Sequence, residues 1–313
     1  MDVLHSIAEL ASVSGPAYLA VGVFDGVHRG HQAVVRRAMD DAQRERGGHA
    51  VAVTFHPHPM KVLRPEAAPR LLTSTPHKLK VLAAMGIGHT LVIPFDLEFS
   101  RTPPEEFIGN LVSACRPLRE ICVGYDWAFG KGRAGNVDLL TRLGRAHNFA
   151  CVGLPPVVTS DGAQISSTLI RAAVEAGDLN RAAELLGREY TILGTVVEGR
   201  RLGRTLGFPT ANLAAHNEQF PPNGVYAARA LIAGKSQTGV LNLGVRPTIE
   251  GGPAERLLEL FVFDFDGELY GEEIEVAFHA YLRPERKFAN LDELKSQIGN
   301  DVSAARAALK IMR

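Results

Sequence analysis

Two histidines stand three residues apart in the stretch GVFDGVHRGHQ, between an apolar run and an amphipathic segment. The run predicts a β-strand, and the segment that follows His28 and His31 predicts a helix. Phosphate groups bind at helix N-termini, because the backbone N–H groups and the helix dipole attract negative charge. Imidazoles at that point can donate hydrogen bonds to a reacting phosphoryl group. The glycine turn and the helix favour this interpretation over two histidines that only cap the helix.

A second helix start is predicted in the segment ISSTLIR. Hydroxyls and N–H groups that open a helix, with Arg171 one turn further on, form a surface that receives anions. An ordinary N-cap is the alternative. The hydroxyl residues in question are Ser166, Ser167 and Thr168.

Two other patterns resemble a metal site and a phosphate-binding loop, but each is weak evidence for such a site. His56 and His58 in HPHP have no carboxylate or thiol partner nearby in sequence, so we expect no metal there. The stretch AGKSQ contains GKS, but Arg229 stands where a phosphate-binding loop needs its first glycine. No helix is predicted after it, so this stretch is predicted to be a hairpin turn.

The first half of the chain alternates between apolar runs and helical patterns. The runs are continuous rather than alternating, as expected of strands covered on both faces. This order predicts a doubly wound parallel sheet, a Rossmann-like nucleotide-binding domain over residues 1–186. The predicted strands are 18–24, 49–55, 89–95, 120–127 and 149–155.

The second half, residues 187–313, reads as strands followed by one helix over 291–312. Such a pattern predicts a small antiparallel β-barrel with a C-terminal helix. Asp266 and Gly267 predict a hairpin between two of its strands. The fold class is therefore α/β followed by mainly β.

Composition narrows the class of protein. Lys plus Arg and Asp plus Glu balance at 34 each, which gives no basic excess for nucleic-acid binding. Three cysteines without metal spacing fit a reducing compartment. Without an apolar run as long as a membrane span, we expect a cytoplasmic protein with small phosphorylated ligands. The sequence leaves the oligomeric state open.

Motifs along nearly the whole chain resemble those of the bifunctional riboflavin kinase/FAD synthetases. After GVFDGVHRGHQ they are TFHPHP (54–59), GYDWAFG (124–130), ISSTLIR (165–171), LGRTLGFPTANL (202–213), NGVY (223–226), LNLGVRPT (241–248) and LRPERKF (282–288). The resemblance implies that the first domain joins FMN and ATP to give FAD and pyrophosphate. It implies that the second domain phosphorylates riboflavin with ATP and Mg²⁺.

The resemblance also implies roles for residues of the first domain. His28 and His31 would hold the triphosphate, Asp126 would contact the flavin, and His58 would shape the nucleotide pocket. The remaining nucleotide and phosphate contacts would come from Gly22, Phe24, Asp25, Gly26, Ser166, Ser167, Thr168 and Arg171.

In the second domain, the resemblance makes Glu259 the general base and Thr210 and Asn212 the magnesium ligands. At Gly203 and Gly207 the backbone would approach the phosphates of ATP closely. The flavin would contact Asn223 and Arg283. From the residues alone, Arg283 and Arg286 could either neutralise phosphate charge or cap the C-terminal helix.

Three positions depart from the family pattern, namely Trp127, Ala128 and Phe261. Many members have Phe and Arg at the first two and His at the third. The departures leave two alternatives beside the two-step enzyme. One keeps the kinase with a weakened or different first-domain activity, and the other is a flavin-binding protein without turnover. A general base at Glu259 argues against the second alternative.

Overall fold

The computed structural model describes residues 1–199, 207–246 and 255–310. The chain divides into two compact units. The first comprises Met1–Arg70 and Lys78–Ser167, and the second comprises Leu71–His77 and Thr168–Arg313.

The first unit is built on a six-stranded parallel sheet, as the alternating pattern predicts. All five predicted strands are confirmed with slightly shifted ends, and a further strand of three residues precedes them, too short for a periodicity argument. The order across the sheet is β1-β4-β3-β2-β5-β6. The strands are β1 (Asp2–Leu4), β2 (Ala17–Val21), β3 (His49–His56), β4 (His89–Pro94), β5 (Leu118–Gly124) and β6 (Ala150–Leu154).

Helices cover both faces of this sheet, so the doubly wound prediction is confirmed. Small residues such as Ala20 and Cys122 pack towards α1 and α3, whereas larger ones such as Leu19 and Val123 pack towards α4 and α5. The helices of this part of the chain are α1 (Arg29–Arg44), α2 (Pro59–Leu63), α3 (Thr75–Ala84), α4 (Pro104–Ala114), α5 (Val137–His147), α6 (Ser167–Glu175) and α7 (Leu179–Leu186).

Strand β2 lies at the point where the strand order reverses. It pairs with β3 on one side and with β5 on the other, and both pairs are parallel. In open α/β sheets, ligands bind at the carboxyl ends of the strands at such a switch point. The turn that follows β2 and the loop that follows β5 therefore emerge at the expected binding edge.

The second unit is a closed six-stranded antiparallel barrel, in the order β10-β11-β8-β7-β12-β9. The barrel and the C-terminal helix confirm the predicted fold. Its elements are β7 (Thr191–Val197), β8 (Thr210–Ala215), β9 (Gly224–Ile232), β10 (Lys235–Arg246), β11 (Glu255–Val262), β12 (Glu273–Arg283) and α8 (Leu291–Ala308).

Of the two predicted hairpins, one is confirmed and one is wrong. Ala233 and Gly234 join β9 to β10 with φ values of 46° and 76°, as a tight two-residue turn requires. By contrast, β11 and β12 are not neighbours in the barrel, so Asp266 and Gly267 lie in a crossover loop. The prediction fails because strand pairing is decided by contacts far apart in sequence, which a local turn pattern does not specify.

A short segment from the first half of the chain, Leu71–His77, belongs to the second unit. His77 is fully buried, with its Nε2 atom 3.1 Å from Glu275 and 3.0 Å from the Thr191 hydroxyl. The Asn217 amide lies 3.3 Å from the other ring nitrogen of His77. These contacts are more than 100 residues apart in sequence, so no local pattern could predict them.

We expect Glu275→Gln to lower the free energy of unfolding of the second unit by about 1–3 kcal/mol at pH 7. Burial disfavours the Glu275 carboxylate, but hydrogen bonding and charge from His77 outweigh it and lower its pKa from 4.5 to about 2. The carboxylate therefore contributes full stability above pH 4.5, and this contribution is lost as the pH falls towards 2.

The measurement is chemical denaturation followed by far-ultraviolet circular dichroism at pH 7 and at pH 4. The difference between wild type and variant should shrink at the lower pH. Trp127, the single tryptophan of the chain, reports the first unit, and its fluorescence transition should be unchanged. A difference that grows on acidification would contradict this role of Glu275.

Within the described residues, the structure contains no helix that is long and apolar enough to cross a membrane.

Candidate functional sites

The turn after β2 has an unusual backbone. Phe24, Gly26 and Val27 all have positive φ values, of 53°, 80° and 41°. A positive φ is a rare conformation for a β-branched residue such as Val27, and such strain persists only where surrounding contacts enforce it. Backbone strain of this kind clusters at ligand-binding turns.

Four side chains fix this turn through its carbonyl groups. Lys78 Nζ and the Thr54 hydroxyl both donate to the carbonyl of Val23, at 2.7 Å and 2.9 Å. The Gln32 amide donates to the carbonyl of Val27 at 2.9 Å, and the Ser167 hydroxyl to that of Asp25, also at 2.9 Å. The turn is therefore held in one conformation before any ligand arrives.

The two histidines lie together at the end of this turn. His28 is the N-cap of α1, and its Nδ1 atom accepts a hydrogen bond from the His31 backbone at 3.3 Å. The imidazole rings stack with their centroids 3.5 Å apart. The structure therefore confirms that His28 caps the helix. The binding of a triphosphate by His28 and His31 stays a prediction.

His31 carries an unused polar atom. Its Nδ1 is buried without a hydrogen-bond partner among the described residues. Burial, followed by the charges of His28 and Lys78, lowers the pKa of His31 well below 6.5. The ring is therefore neutral at pH 7 and can donate one hydrogen bond to an anionic ligand. Orphaned buried polar atoms are rare in native structures, and here the atom lies at the predicted site.

The structure places other predicted residues around the turn. Phe24 is buried with its ring edge-on to His31 at 5.4 Å, and it leaves room for no side chain at Gly22. Ser167 begins α6 and bonds the turn itself. Asp126 is exposed in the loop after β5, at the same edge of the sheet. The nucleotide and flavin contacts assigned to Gly22, Phe24, Asp25, Gly26, Asp126, Ser166, Ser167, Thr168 and Arg171 stay predictions.

A second set of polar side chains forms a row across the barrel. In the antiparallel register, Glu259 on β11 faces Asn212 on β8 and Asn242 on β10. Directly opposed residues on one face have Cβ atoms about 5 Å apart. The predicted base and one predicted metal ligand are therefore neighbours, although 47 residues separate them in sequence. Thr210 lies two residues from Asn212 along β8, opposite Phe261 and on the same face of the strand.

Burial alternates along β11. Leu258, Leu260 and Val262 are buried, whereas Glu259 is only half-buried and lies on the other face. Phe261 contacts Phe208 at 5.4 Å and Phe263 at 5.9 Å between ring centroids. An apolar ring thus occupies the position where many family members have a histidine.

Gly199 lies against the Asn212 amide. A Cβ atom at position 199 would overlap the Asn212 carboxamide, so a larger residue fits there only if that amide moves. Gly207 has a positive φ of 86° and is exposed shortly before Thr210, one of the two predicted magnesium ligands. Gly203 lies outside the described residues. The phosphate contacts of Gly203 and Gly207 stay predictions.

We expect Gly199→Ala to lower kcat/KM for riboflavin phosphorylation by about 10- to 100-fold, because the methyl group displaces the amide that faces Glu259. Gly299→Ala is the matched control, since a Cβ there meets nothing within 4 Å. Steady-state kinetics with riboflavin and ATP measure the effect. Equal rates for both variants would show that the position of Asn212 is unimportant.

A cavity of about 680 Å³ opens beside this row in the barrel. Strand residues line one side of it, among them Thr210 and Leu260, and the crossover loop that contains Asp266 and Tyr270 lines the other. Its volume is within the range of small-molecule sites.

The two barrel residues predicted to contact the flavin, Asn223 and Arg283, have protein partners. Arg256 donates to the Asn223 side chain at 2.6 Å. Arg283 makes a bidentate pair with Asp301 of α8, at 2.8 Å and 2.7 Å, and Arg286 pairs with Glu293. Both arginines therefore contact the C-terminal helix without capping it, because Asn290 is the N-cap of α8. Neutralisation of phosphate charge by Arg283 and Arg286 stays a prediction. Flavin contact by Asn223 and Arg283 stays a prediction.

Sequence reasoning missed several residues that shape these sites. Lys78 precedes the buried residues Val81 and Leu82 by three and four positions, so it lies on the apolar face of a helix. A charged residue on such a face was the sequence pattern that could have identified it. Gln32 stands in the same relation to Val35. Thr54 and Asn242 carry no such signal.

A parallel sheet with a strained turn at its switch point, joined in one chain to a barrel with a carboxylate–amide row, is typical of a two-domain transferase that uses nucleotides. Family models agree with this class. The FAD synthetase family matches residues 11–169, and the riboflavin kinase family matches residues 186–309. The chain belongs to the bifunctional riboflavin kinase/FMN adenylyltransferase family.

Named relatives span almost the full chain. A bifunctional riboflavin kinase/FMN adenylyltransferase of Escherichia coli K12 is 38% identical over 92% of this chain and 91% of its own. The protein of that name from Pseudomonas fluorescens is 38% identical over 98% and 97%. A solved structure described as a macrolide-efflux protein from Streptococcus pneumoniae matches 94% of this chain and 95% of its own, with a TM-score of 0.79 and 29% identity.

Proposed function

We propose that the chain makes FAD in two steps at two separate sites. In the second unit, riboflavin and ATP give FMN and ADP. In the first unit, FMN and a second ATP give FAD and pyrophosphate. The observation that carries the proposal is the placement of His28 and His31 in one folded unit and of Glu259 and Asn212 in the other.

In the adenylyl transfer, a phosphate oxygen of FMN attacks the α-phosphorus of ATP. The new P–O bond forms as the bond from the α-phosphorus to the bridging oxygen breaks, and pyrophosphate leaves with that electron pair. Charge grows on the leaving group and on the non-bridging oxygens. The imidazoles of His28 and His31 supply N–H donors for this charge from a pre-organised position.

In the phosphoryl transfer, the ribityl 5′-hydroxyl of riboflavin attacks the γ-phosphorus of ATP. The bond to the β-γ bridging oxygen breaks, and ADP leaves. Glu259 accepts the proton of the attacking hydroxyl. Its half-buried place on the open face of β11 leaves the carboxylate accessible to a substrate.

Thr210 and Asn212 are suited to Mg²⁺. Both offer neutral oxygen donors, which hard cations prefer, and Gly199 allows the chain to pass directly against the Asn212 amide. Neutral ligands suffice where the nucleotide brings the negative charge. Bound magnesium would neutralise charge on the transferring phosphates.

We assign the barrel cavity to ATP. Apolar residues such as Val196 and Leu260 can cover a base, while Thr210 borders the same cavity and is a proposed metal ligand. The kinase domain in this proposal covers residues 187–313, and the adenylyltransferase domain covers 1–186.

A cytoplasmic location and small-molecule partners complete the proposal. The three cysteines are unpaired, which fits a reducing compartment. The formal net charge is zero, so no electrostatic feature favours nucleic acid.

Chromatography of the products formed from riboflavin, ATP and Mg²⁺ tests the proposal. We expect FMN to appear first and FAD to follow. FMN without FAD would favour a chain that retains only the kinase, as the departures at Trp127 and Ala128 allow. Neither product would favour a flavin-binding protein without turnover.

A further inference from the structure

A buried lysine lies behind the turn of the first unit. Lys78 is 5% exposed, and its ammonium group donates to the carbonyl of Val23 at 2.7 Å and contacts the Thr54 hydroxyl at 3.1 Å. Lysine is almost never fully buried in proteins, because desolvation of the charge is costly. An apolar residue at position 78 would complete the apolar face of α3 equally well, so packing alone does not explain why a lysine is there.

The carbonyl that Lys78 binds is the one that opens the strained turn. Three of the four residues after Val23 have positive φ values. Because such a backbone relaxes when its supports are removed, the direction of each N–H group in the turn depends on those supports. A lysine donates strongly to a carbonyl, since a charged donor makes a stronger hydrogen bond than a neutral one.

The ammonium group also contributes charge. Three titratable groups interact electrostatically with Lys78. They are Asp25 on the turn, His31 on α1 and His56 at the end of β3. All three belong to the edge of the sheet where the triphosphate is proposed to bind. Polyphosphate at this edge therefore meets a fixed positive charge in a region of low dielectric, where electrostatic attraction is strong.

We propose that Lys78 is a positioning residue for adenylyl transfer, which holds the turn at Val23 and keeps His28 and His31 aimed at the triphosphate of ATP. It acts only in its protonated form. The inference rests on the proposed adenylyl-transfer site.

A pH dependence follows from the burial of Lys78. Burial lowers its pKa to about 8, and the nearby Asp25 carboxylate only partly opposes this. Lys78 in the free protein is charged below pH 8 and becomes neutral as the pH rises through that value. The kcat/KM of FAD formation from FMN and ATP should therefore fall on the alkaline side of about pH 8, because kcat/KM reports groups of the free enzyme.

Three variants separate charge from packing. Lys78→Met keeps the length of the stem but removes the charge, and it should lower kcat/KM by on the order of 10²-fold at pH 7 and abolish the alkaline decline. Lys78→Arg keeps a charge that does not titrate, so it should retain more activity than Lys78→Met and show no decline near pH 8. Lys80→Met, at an exposed position on the same helix, is the matched control.

Rates of FAD formation are measured from pH 6.5 to 9.5 with FMN supplied, and riboflavin phosphorylation by the same samples serves as the internal control for folding. A wild-type profile that stays flat through pH 8 to 9.5 would overturn the inference without any variant. Equal kcat/KM for Lys78→Met and Lys80→Met would also overturn it. If His31→Ala makes FAD at the wild-type rate, the proposed site itself is wrong, which is a distinct result.

Discussion

His31→Ala is expected to reduce FAD formation from FMN and ATP by on the order of 10²-fold or more, while riboflavin phosphorylation continues at the wild-type rate. The reason is that the removed imidazole is neutral and has a buried nitrogen without a partner among the described residues. Its loss therefore breaks no described side-chain hydrogen bond of the fold. In the proposed mechanism, the substitution removes an N–H donor to the charge that develops on the triphosphate.

The measurement is the initial rate of FAD formation, with FMN supplied, by separation of the flavins. His147→Ala is a matched control, because His147 is exposed in the last turn of α5. His28→Ala should lose activity as well, but it also removes the N-cap of α1 and would lower stability by about 1 kcal/mol. If His31→Ala stopped both reactions in a folded protein, the assignment of two sites would be wrong.

Glu259→Gln is expected to have the converse effect. Removal of the general base should lower riboflavin phosphorylation by about 10²- to 10⁴-fold. The glutamine has nearly the same shape and can still face Asn212 and Asn242 across the barrel. Supplied FMN should still be converted to FAD, because the first unit does not contain this residue.

Phosphorylation is followed by the appearance of FMN with riboflavin and ATP as substrates. Glu272→Gln controls for the loss of a carboxylate, since Glu272 is exposed and immediately precedes β12. A variant at Glu259 that phosphorylates riboflavin as fast as wild type would show that another group takes the proton.

Much of the architecture was readable from local pattern. Continuous apolar runs separated by helical stripes predicted the five long parallel strands, and a series of strand signals followed by one helix predicted the barrel. The glycine turn before His28 predicted a binding edge of the sheet. These features succeed because burial on one or both faces of an element imposes its periodicity on the sequence.

The side chains that hold the turn after β2 could not be predicted from local sequence patterns. Thr54 and Ser167 reach the turn from 31 and 142 residues away in sequence. The failed hairpin at Asp266 and Gly267 has the same origin, because turn residues do not specify which strands pair. The assignment of Leu71–His77 to the second unit likewise depends on contacts of His77 with distant residues.

The sequence alone determined the two folded parts, the order of their elements and the histidine, carboxylate and amide residues offered for chemistry. The tertiary structure decided that Glu259 faces Asn212, that a strained turn aims two stacked imidazoles, and that Lys78 supports this turn from within the core. The physical reason is the separation along the chain over which each effect acts. Propensity and periodicity act over a few residues, whereas register, hydrogen bonding to a strained carbonyl and the desolvation of a charge depend on groups that only folding brings together.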